Sequence, residues 1–320
     1  MSKNIKNALA ALEKRFGEPV VMKMDDANTG IDVFSSGRDS LDTKLGGGYG
    51  IGKIIEIYAE SGCGKTGLAL EAIKSMQSRE GVCAIIDAEH ALNTEYCEQI
   101  GINTDDLYIS QPTYGEQAFE AIRALIGTGE VDLIVVDSVA AMIPKAELEG
   151  ESGEAKIALQ ARMMSQGMKL ITGPASDNKC TVIFINQLRK TIAMYGPTET
   201  TTGGKALKFY ATQRLEIKNR GMIKEGDDFI GFKQQIKIVK NKVAAPFQML
   251  QEDIIYGKGV DLTQGLVEAL VFEGVLEKAG AWFRYEGTNI AQGMKKLRVV
   301  LDDNPELFEK LTTELAEARN

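Results

Sequence analysis

Ile54-Ile55-Glu56-Ile57-Tyr58-Ala59-Glu60-Ser61-Gly62-Cys63-Gly64-Lys65-Thr66 joins an apolar, β-rich run to a glycine-bearing turn, and the residues that follow put Leu68, Ala72, Ile73 and Met76 on one helical face. A strand that ends in such a turn and feeds a helix aims several backbone N–H groups and the positive end of the helix dipole at one point. Residues 59–66 follow the phosphate-loop spacing G-x-x-x-x-G-K-[ST], with Ala59 at the first glycine. Lys65 is expected to reach the β/γ-phosphates and the Thr66 hydroxyl to ligate Mg²⁺. A small residue at position 59 still lets backbone approach a phosphate, with less freedom than glycine at positive φ. A turn that binds nothing would require Gly64-Lys65-Thr66 to fall between strand and helix by chance.

Outward from this loop, short apolar runs recur at Val82 to Ile86, Leu133 to Val136 and Val182 to Ile185, separated by helical patterns such as Glu116 to Ile126 and Ala155 to Ile171. Strands alternating with helices predict an α/β fold, a mostly parallel sheet with helices on both faces. The later strands, around Arg214 to Ile217, Gln235 to Val239 and Asp253 to Tyr256, lack long helices between them and are expected to extend the sheet in antiparallel fashion. Past Gly257 to Asp261 the pattern changes to helices at Leu262 to Phe272 and Met294 to Leu301, a short aromatic strand Trp282 to Tyr285, and a last helix opened by Asn304-Pro305-Glu306. Ile5, Leu9, Leu12 and Phe16 form one stripe of an N-terminal helix, which either packs on its own core or docks on a neighbour. The expected organisation is an N-terminal helix and linker over 1–32, an ATPase-type core over 33–258 and a small α+β C-terminal domain over 259–320.

With 320 residues and 44% hydrophobic residues the chain has the make-up of a globular protein with one large and one smaller domain. It holds no apolar run of membrane-spanning length and its N-terminus lacks a hydrophobic signal core, so a cytoplasmic protein with no membrane partner is expected. Cys63, Cys83, Cys97 and Cys180 are irregularly spaced and His90 is the single histidine, which supports neither a zinc site nor a His-based nucleophilic triad. Catalysis is left to carboxylates, lysines and a metal ion. A net charge of −8 argues against a uniformly basic surface, yet between Arg189 and Arg220 seven basic residues face only Glu199 and Glu216.

The buried-strand pattern Leu133 to Val136 ends in Asp137, which at the carboxyl edge of a parallel sheet would share the Mg²⁺ shell with Thr66. The run Val82 to Ile86 ends in Asp87-Ala88-Glu89 at the same edge, and Glu89 is the candidate base for an attacking water, its alternative being a capping or solvated acid. Val182 to Ile185 leads into Asn186-Gln187, an amide able to sense a γ-phosphate. The stretch Leu188 to Gly204 combines Arg189 and Lys190 with Ile192, Met194 and Tyr195 and with Gly203 and Gly204. Cations for phosphates, apolar wedges and glycines for close approach suit single-stranded nucleic acid; a lid over the nucleotide is the alternative.

These residues carry a resemblance to the bacterial RecA family of homologous-recombination ATPases along nearly the whole chain. It rests on Ile86-Asp87-Ala88-Glu89-His90-Ala91-Leu92, Val135-Val136-Asp137-Ser138-Val139-Ala140-Ala141, Ala161-Arg162-Met163-Met164-Ser165-Gln166, Phe184-Ile185-Asn186-Gln187, Glu199 to Gly204 with Lys205-Ala206-Leu207-Lys208-Phe209-Tyr210, and Val239-Lys240-Asn241-Lys242-Val243-Ala244-Ala245-Pro246-Phe247. The resemblance implies a P-loop NTPase core whose ATP and Mg²⁺ are held by Ala59, Glu60, Ser61, Gly62, Cys63, Gly64, Lys65, Thr66 and Asp137. Tyr96 and Tyr256 would flank the adenine, Glu89 would activate water, and Gln187 would couple the γ-phosphate to the second DNA loop. Lys240 and Lys242 would reach the ATP of an adjacent subunit, with Phe209 at that interface and the N-terminal helix as an arm on the neighbour. Ile157 and Ile192 match positions that wedge between bases, and Arg162, Ser165, Lys169, Arg189, Lys190, Gly203, Gly204 and Lys205 match DNA-binding positions. Implied partners are single-stranded DNA, homologous double-stranded DNA and further copies in a head-to-tail helical filament. The implied activity is a DNA-dependent ATPase that pairs and exchanges strands in recombination, repair and the SOS response.

Departures from the family pattern are Ala59, Asn93 where an adenine-contacting Asp is usual, Lys205 in place of an Asn, a second loop one residue shorter, and no long acidic tail after Ala318-Arg319-Asn320. Lys205 is expected to raise DNA affinity, and the missing tail to ease duplex binding. Lys295, Lys296 and Arg298 are candidates for a duplex landing site. Two other readings compete, a hexameric helicase and a nucleotide-gated scaffold. Neither a ring-closing interface nor a helicase accessory domain is visible for the first, and the pair Glu89 and Lys65 disfavours the second.

Overall fold

Strands whose every residue is apolar need cover on both faces, and alternate side chains of one strand supply two separate cores. The computed structural model describes residues 3–17, 19–23, 30–150, 155–190, 199–257, 259–260 and 262–318. The chain divides between Asp32 and Val33 into two compact units. The first holds helix α1 (Lys3–Phe16), of which no residue is buried; Ile5 and Phe16 of its apolar stripe are more than half exposed.

In the second unit the chain runs through β1 (Val33–Phe34), α2 (Asp39–Leu45), β2 (Tyr49–Gly50), β3 (Ile54–Ala59), α3 (Lys65–Gln77), β4 (Cys83–Asp87), α4 (Thr94–Ile100), β5 (Leu107–Ser110), α5 (Gly115–Thr128), β6 (Leu133–Asp137), α6 (Lys145–Leu148), α7 (Ala155–Asp177) and β7 (Thr181–Lys190). It continues with β8 (Glu199–Thr201), α8 (Ala206–Tyr210), β9 (Gln213–Glu225), β10 (Asp228–Asn241), β11 (Met249–Ile255), β12 (Gly259–Val260), α9 (Leu262–Phe272), β13 (Glu277–Ala279), β14 (Trp282–Tyr285), β15 (Thr288–Gln292), α10 (Met294–Asp303) and α11 (Pro305–Ala318). The large sheet has the order β12-β11-β10-β9-β3-β7-β6-β4-β5, with β8 paired to β7. On one face Ile55, Ile57, Ile85, Val135, Ile183 and Ile185 pack with Leu68, Ala72 and Ile73 of α3. On the other, Ile134, Val136, Val182 and Phe184 pack with Phe119 and Ile122 of α5 and Met164 and Met168 of α7.

The strands β3, β7, β6, β4 and β5 are mutually parallel, as the alternation of strands and helices predicts. One expectation is corrected. The strands β9, β10, β11 and β12 do pair antiparallel with one another, but β9 joins β3 in parallel register. The short helix α8 returns the chain to the starting edge before β9, which makes that join a crossover rather than a hairpin. Of the segment after Gln187, residues 188–190 are strand: β7 runs to Lys190 and pairs with β8 in antiparallel register, and residues 191–198 lie outside the described residues.

The C-terminal residues build a separate core in which Phe283 and Tyr285 of the antiparallel β13-β14-β15 sheet pack with Leu270, Leu297, Leu311 and Leu315. Trp282 lies on this small sheet, 40% exposed. Gly265 lets α9 approach α2, since a Cβ there would sit 3.1 Å from the Ser40 hydroxyl. Among the described residues no helix is long and apolar enough to cross a membrane.

Candidate active site and nucleic-acid interface

In β3 every residue is buried, and Ala59 ends the strand in ladder register with Gln187 of β7. The first position of the phosphate loop is therefore extended strand, where a methyl group is no handicap. The tight bends fall on Gly62 and Gly64, at φ +73° and +82°. Gly64 needs its hydrogen for a second reason, because a Cβ there would lie 2.6 Å from Gln234 Nε2. Lys65, which opens α3, is buried and donates its ammonium to the Glu60 carbonyl at 2.8 Å. Burial lowers its pKa, opposed by Cys63, Asp137 and Glu89.

Parallel register brings the acids to the same edge, with Asp87 opposite Asp137. Thr66 Oγ1 donates to Asp137 Oδ2 at 2.7 Å. Burial pushes the Asp137 carboxyl up to about 6, against the pull of the Thr66 hydrogen bond. Both donors are oxygens, the kind a hard cation such as Mg²⁺ takes, and a cation there would offset the cost of burying the carboxylate, so the residues fit the ion. Glu89 lies just past β4, and its Oε1 accepts hydrogen bonds from the Ser138 hydroxyl and from Gln187 Nε2, the latter at 3.2 Å. Its neighbour Asp87 is occupied differently. Its carboxylate accepts from the Ala91 and Leu92 amides and from Gln111 Nε2, so it shapes the turn that carries Glu89.

From Gln187 the polar network continues inward. The Gln187 backbone N–H donates to Asn186 Oδ1 at 2.8 Å, and Asn186 Nδ2 donates to Glu56 Oε1 and to the Thr202 carbonyl, each at 3.0 Å. Glu56 is fully buried and pairs with Arg214, which lies over the Tyr58 ring. A cleft of about 440 Å³ opens beside Thr66, Asp137 and Glu89, and is walled by Asn93 and Tyr96. A second, of about 730 Å³, lies between Tyr96, Tyr256, Phe232 and the phosphate-loop glycines. Asn93 itself caps α4 through its side chain.

Lys240 and Lys242 do not join this group. Lys240 is aligned through Arg214 with Glu56, in the body of the sheet rather than at its carboxyl edge. Its ammonium donates to the carbonyls of Lys208 and Phe209 at 3.0 and 2.9 Å. Burial, then Lys242 and Arg214, lower its pKa. Phe209 beside it is 73% exposed.

Of the residues expected to bind DNA, Arg162, Ser165 and Lys169 lie on α7, Arg189 on β7, and Gly203, Gly204 and Lys205 just after β8. Arg162, Lys169, Arg189 and Lys205 are exposed and Ser165 is half-buried. A Cβ on Gly204 would lie 2.8 Å from the Ala161 Cβ, and one on Gly203 3.1 Å from Met164 Cγ, so these glycines seat the hairpin's end directly on α7. Ile157 lies in α7 and Lys190 in β7, and Ile192 is outside the described residues. Sequence reading missed Ser138 as a partner of Glu89 and missed Gln234 and Arg38 behind the phosphate loop. The bare sequence held one signal, Ser138 following the strand-ending Asp137.

A family model described as the RecA N-terminal domain matches residues 3–261, and one described as the RecA C-terminal domain matches residues 265–320. Protein RecA of Nocardioides sp. (strain ATCC BAA-499 / JS614) is 47% identical over 97% of this chain and 89% of its own length. Protein RecA of Pseudomonas fluorescens (strain Pf0-1) is 48% identical over 98% of this chain and 92% of its own. Protein RecA of Acinetobacter baylyi is 46% identical over 99% and 91%.

Proposed function

The chain belongs to the RecA family and is a DNA-dependent ATPase, a recombinase of homologous recombination and repair, and from that premise we propose that it hydrolyses ATP with Mg²⁺ in a site completed between two copies of the chain. The copies form a head-to-tail helical filament on single-stranded DNA, which then pairs with homologous duplex. The observation that carries this reading is the convergence, at one sheet edge, of the Thr66–Asp137 pair with a Glu89 carboxylate that accepts from both Ser138 and Gln187.

In this reading Ala59 to Thr66 wrap the phosphates, Lys65 neutralises the terminal ones, and Tyr96 and Tyr256 enclose the adenine. Thr66 and Asp137 hold Mg²⁺, which when bound draws charge off the phosphate oxygens. Glu89 orients water and takes its proton. Gln187 ties Glu89 to the hairpin that follows it, so the state of the γ-phosphate reaches the DNA loop. Lys240 and Lys242 act on the nucleotide of the next copy, across a contact that includes Phe209 and receives α1. Arg162, Ser165, Lys169, Arg189, Lys190, Gly203, Gly204 and Lys205 bind DNA phosphates, and Ile157 and Ile192 wedge between bases. The protein grips the backbone and stacks on bases rather than reading their edges, so base pairing supplies the specificity. The protein acts in the cytoplasm.

The test is ATP turnover with and without single-stranded DNA, joined to electron microscopy of the protein with DNA and a non-hydrolysed ATP analogue. Stimulated turnover and helical filaments are expected. A chain that stays monomeric with nucleotide, magnesium and oligonucleotide together overturns the reading.

A further inference from the structure

Behind the phosphate loop lies a buried polar cluster that none of the roles above uses. Arg38, 2% exposed, stands just before α2. Its guanidinium pairs with Glu71 of α3, and its Nη1 donates to Glu252 Oε2 of β11 at 2.8 Å and to Gln234 Oε1 of β10 at 2.7 Å. Ser40 donates to the other oxygen of Glu252. Gln234, 1% exposed, then donates Nε2 to the Cys63 carbonyl at 2.6 Å. Only one orientation of that amide satisfies both ends, because the flipped one would set NH₂ against guanidinium and oxygen against carbonyl. Arg38 therefore dictates which way Gln234 faces.

The Cys63 carbonyl belongs to the peptide plane that carries the Gly64 N–H. In a planar trans peptide the two groups point in opposite directions. Drawing the carbonyl back toward Gln234 turns the Gly64 N–H away from β10 and toward the loop's interior. Gln234 also fills the space a side chain at position 64 would need.

We propose that Gln234, oriented by Arg38, is a positioning residue that sets the Cys63–Gly64 peptide for phosphate binding; this rests on the reading that the loop binds a nucleoside triphosphate. The cluster joins β10 and β11 to α3 and the loop, so the preorganisation holds before nucleotide arrives.

The variant Gln234→Met keeps the side-chain volume and removes both hydrogen bonds. In the full chain with Mg²⁺, titration with a fluorescent ATP analogue is expected to give roughly tenfold weaker binding. ATP turnover should show a raised KM with kcat within about twofold of the parent. Hydrogen exchange of nucleotide-free protein should show faster exchange across residues 60–65 alone. Arg38→Lys keeps a charge between Glu71 and Glu252, and should weaken binding less. The double variant should bind no more weakly than Gln234→Met, since Arg38 acts through Gln234. Unchanged affinity and loop exchange in Gln234→Met overturn the proposal, as does a lowered kcat and Tm at unchanged KM, the mark of a structural role alone. If the parent chain itself fails to bind the analogue, the nucleotide reading fails instead, and the exchange data still test the loop contact.

Discussion

At the carboxyl edge of the sheet, Glu89 takes two hydrogen bonds from side chains of its own chain, whereas Lys240 is tied to the carbonyls of Lys208 and Phe209 beside an exposed aromatic ring. The first region is assembled by topology. Parallel strands deliver their ends to one line, so Lys65, Thr66, Asp137, Glu89 and Gln187 meet without help. The second region is a cationic flank in the body of the sheet, where among the described residues the acid acting on Lys240 is Glu56, already paired with Arg214. The difference teaches that topology alone assembles the first group, whereas the proposed role of Lys240 needs a neighbouring copy to supply the nucleotide.

The largest test strikes the first group. Glu89→Gln should cut ATP turnover by about 10²- to 10⁴-fold while nucleotide binding and filament assembly persist; loss of assembly would make Glu89 a structural residue. Next, Lys240→Ala should lower DNA-stimulated turnover by about a hundredfold, with nucleotide affinity of the isolated chain within about twofold of the parent. Equal loss of affinity in the isolated chain would place Lys240 in its own chain's site and dissolve the comparison. On the DNA side, Arg162→Glu should weaken binding to single strands and flatten the salt dependence by about 0.7 in log–log slope, and an unchanged slope would put Arg162 outside the DNA path. The smallest effect concerns pH. Because burial and neighbouring cations lower the Lys240 pKa, its charge is lost earlier than an ordinary lysine's as pH rises, so stimulated turnover should fall on the alkaline side. Lys240→Arg, which stays charged, should move that limb to higher pH; the check is a pH–rate profile of both proteins.

What could be read from the chain alone follows from this difference. Asp137 and Glu89 were legible because an apolar run that ends in an acid, next to a phosphate loop, fixes both the strand and the edge. Lys240 and Lys242 had no such local signal and came only with the family resemblance. The parallel join of β9 to β3 was missed because the helix that makes the crossover, Ala206–Tyr210, is too short to stand out as a period. Arg38 and Gln234 lie 196 residues apart, and a buried cluster between such distant positions leaves no periodicity to detect. Ala59 read as a weakness and is none, because ladder register rather than a turn defines its backbone.

Trp282 is the single tryptophan, and it stands on the small C-terminal sheet rather than in the cleft enclosed by Tyr96 and Tyr256. Indole emission excited near 295 nm, where tyrosine hardly absorbs, thus becomes a native spectroscopic probe of the C-terminal sheet's surroundings. Changes in that light when duplex is added can be followed in the unlabelled protein, free of interference from the cleft at Tyr96 and Tyr256.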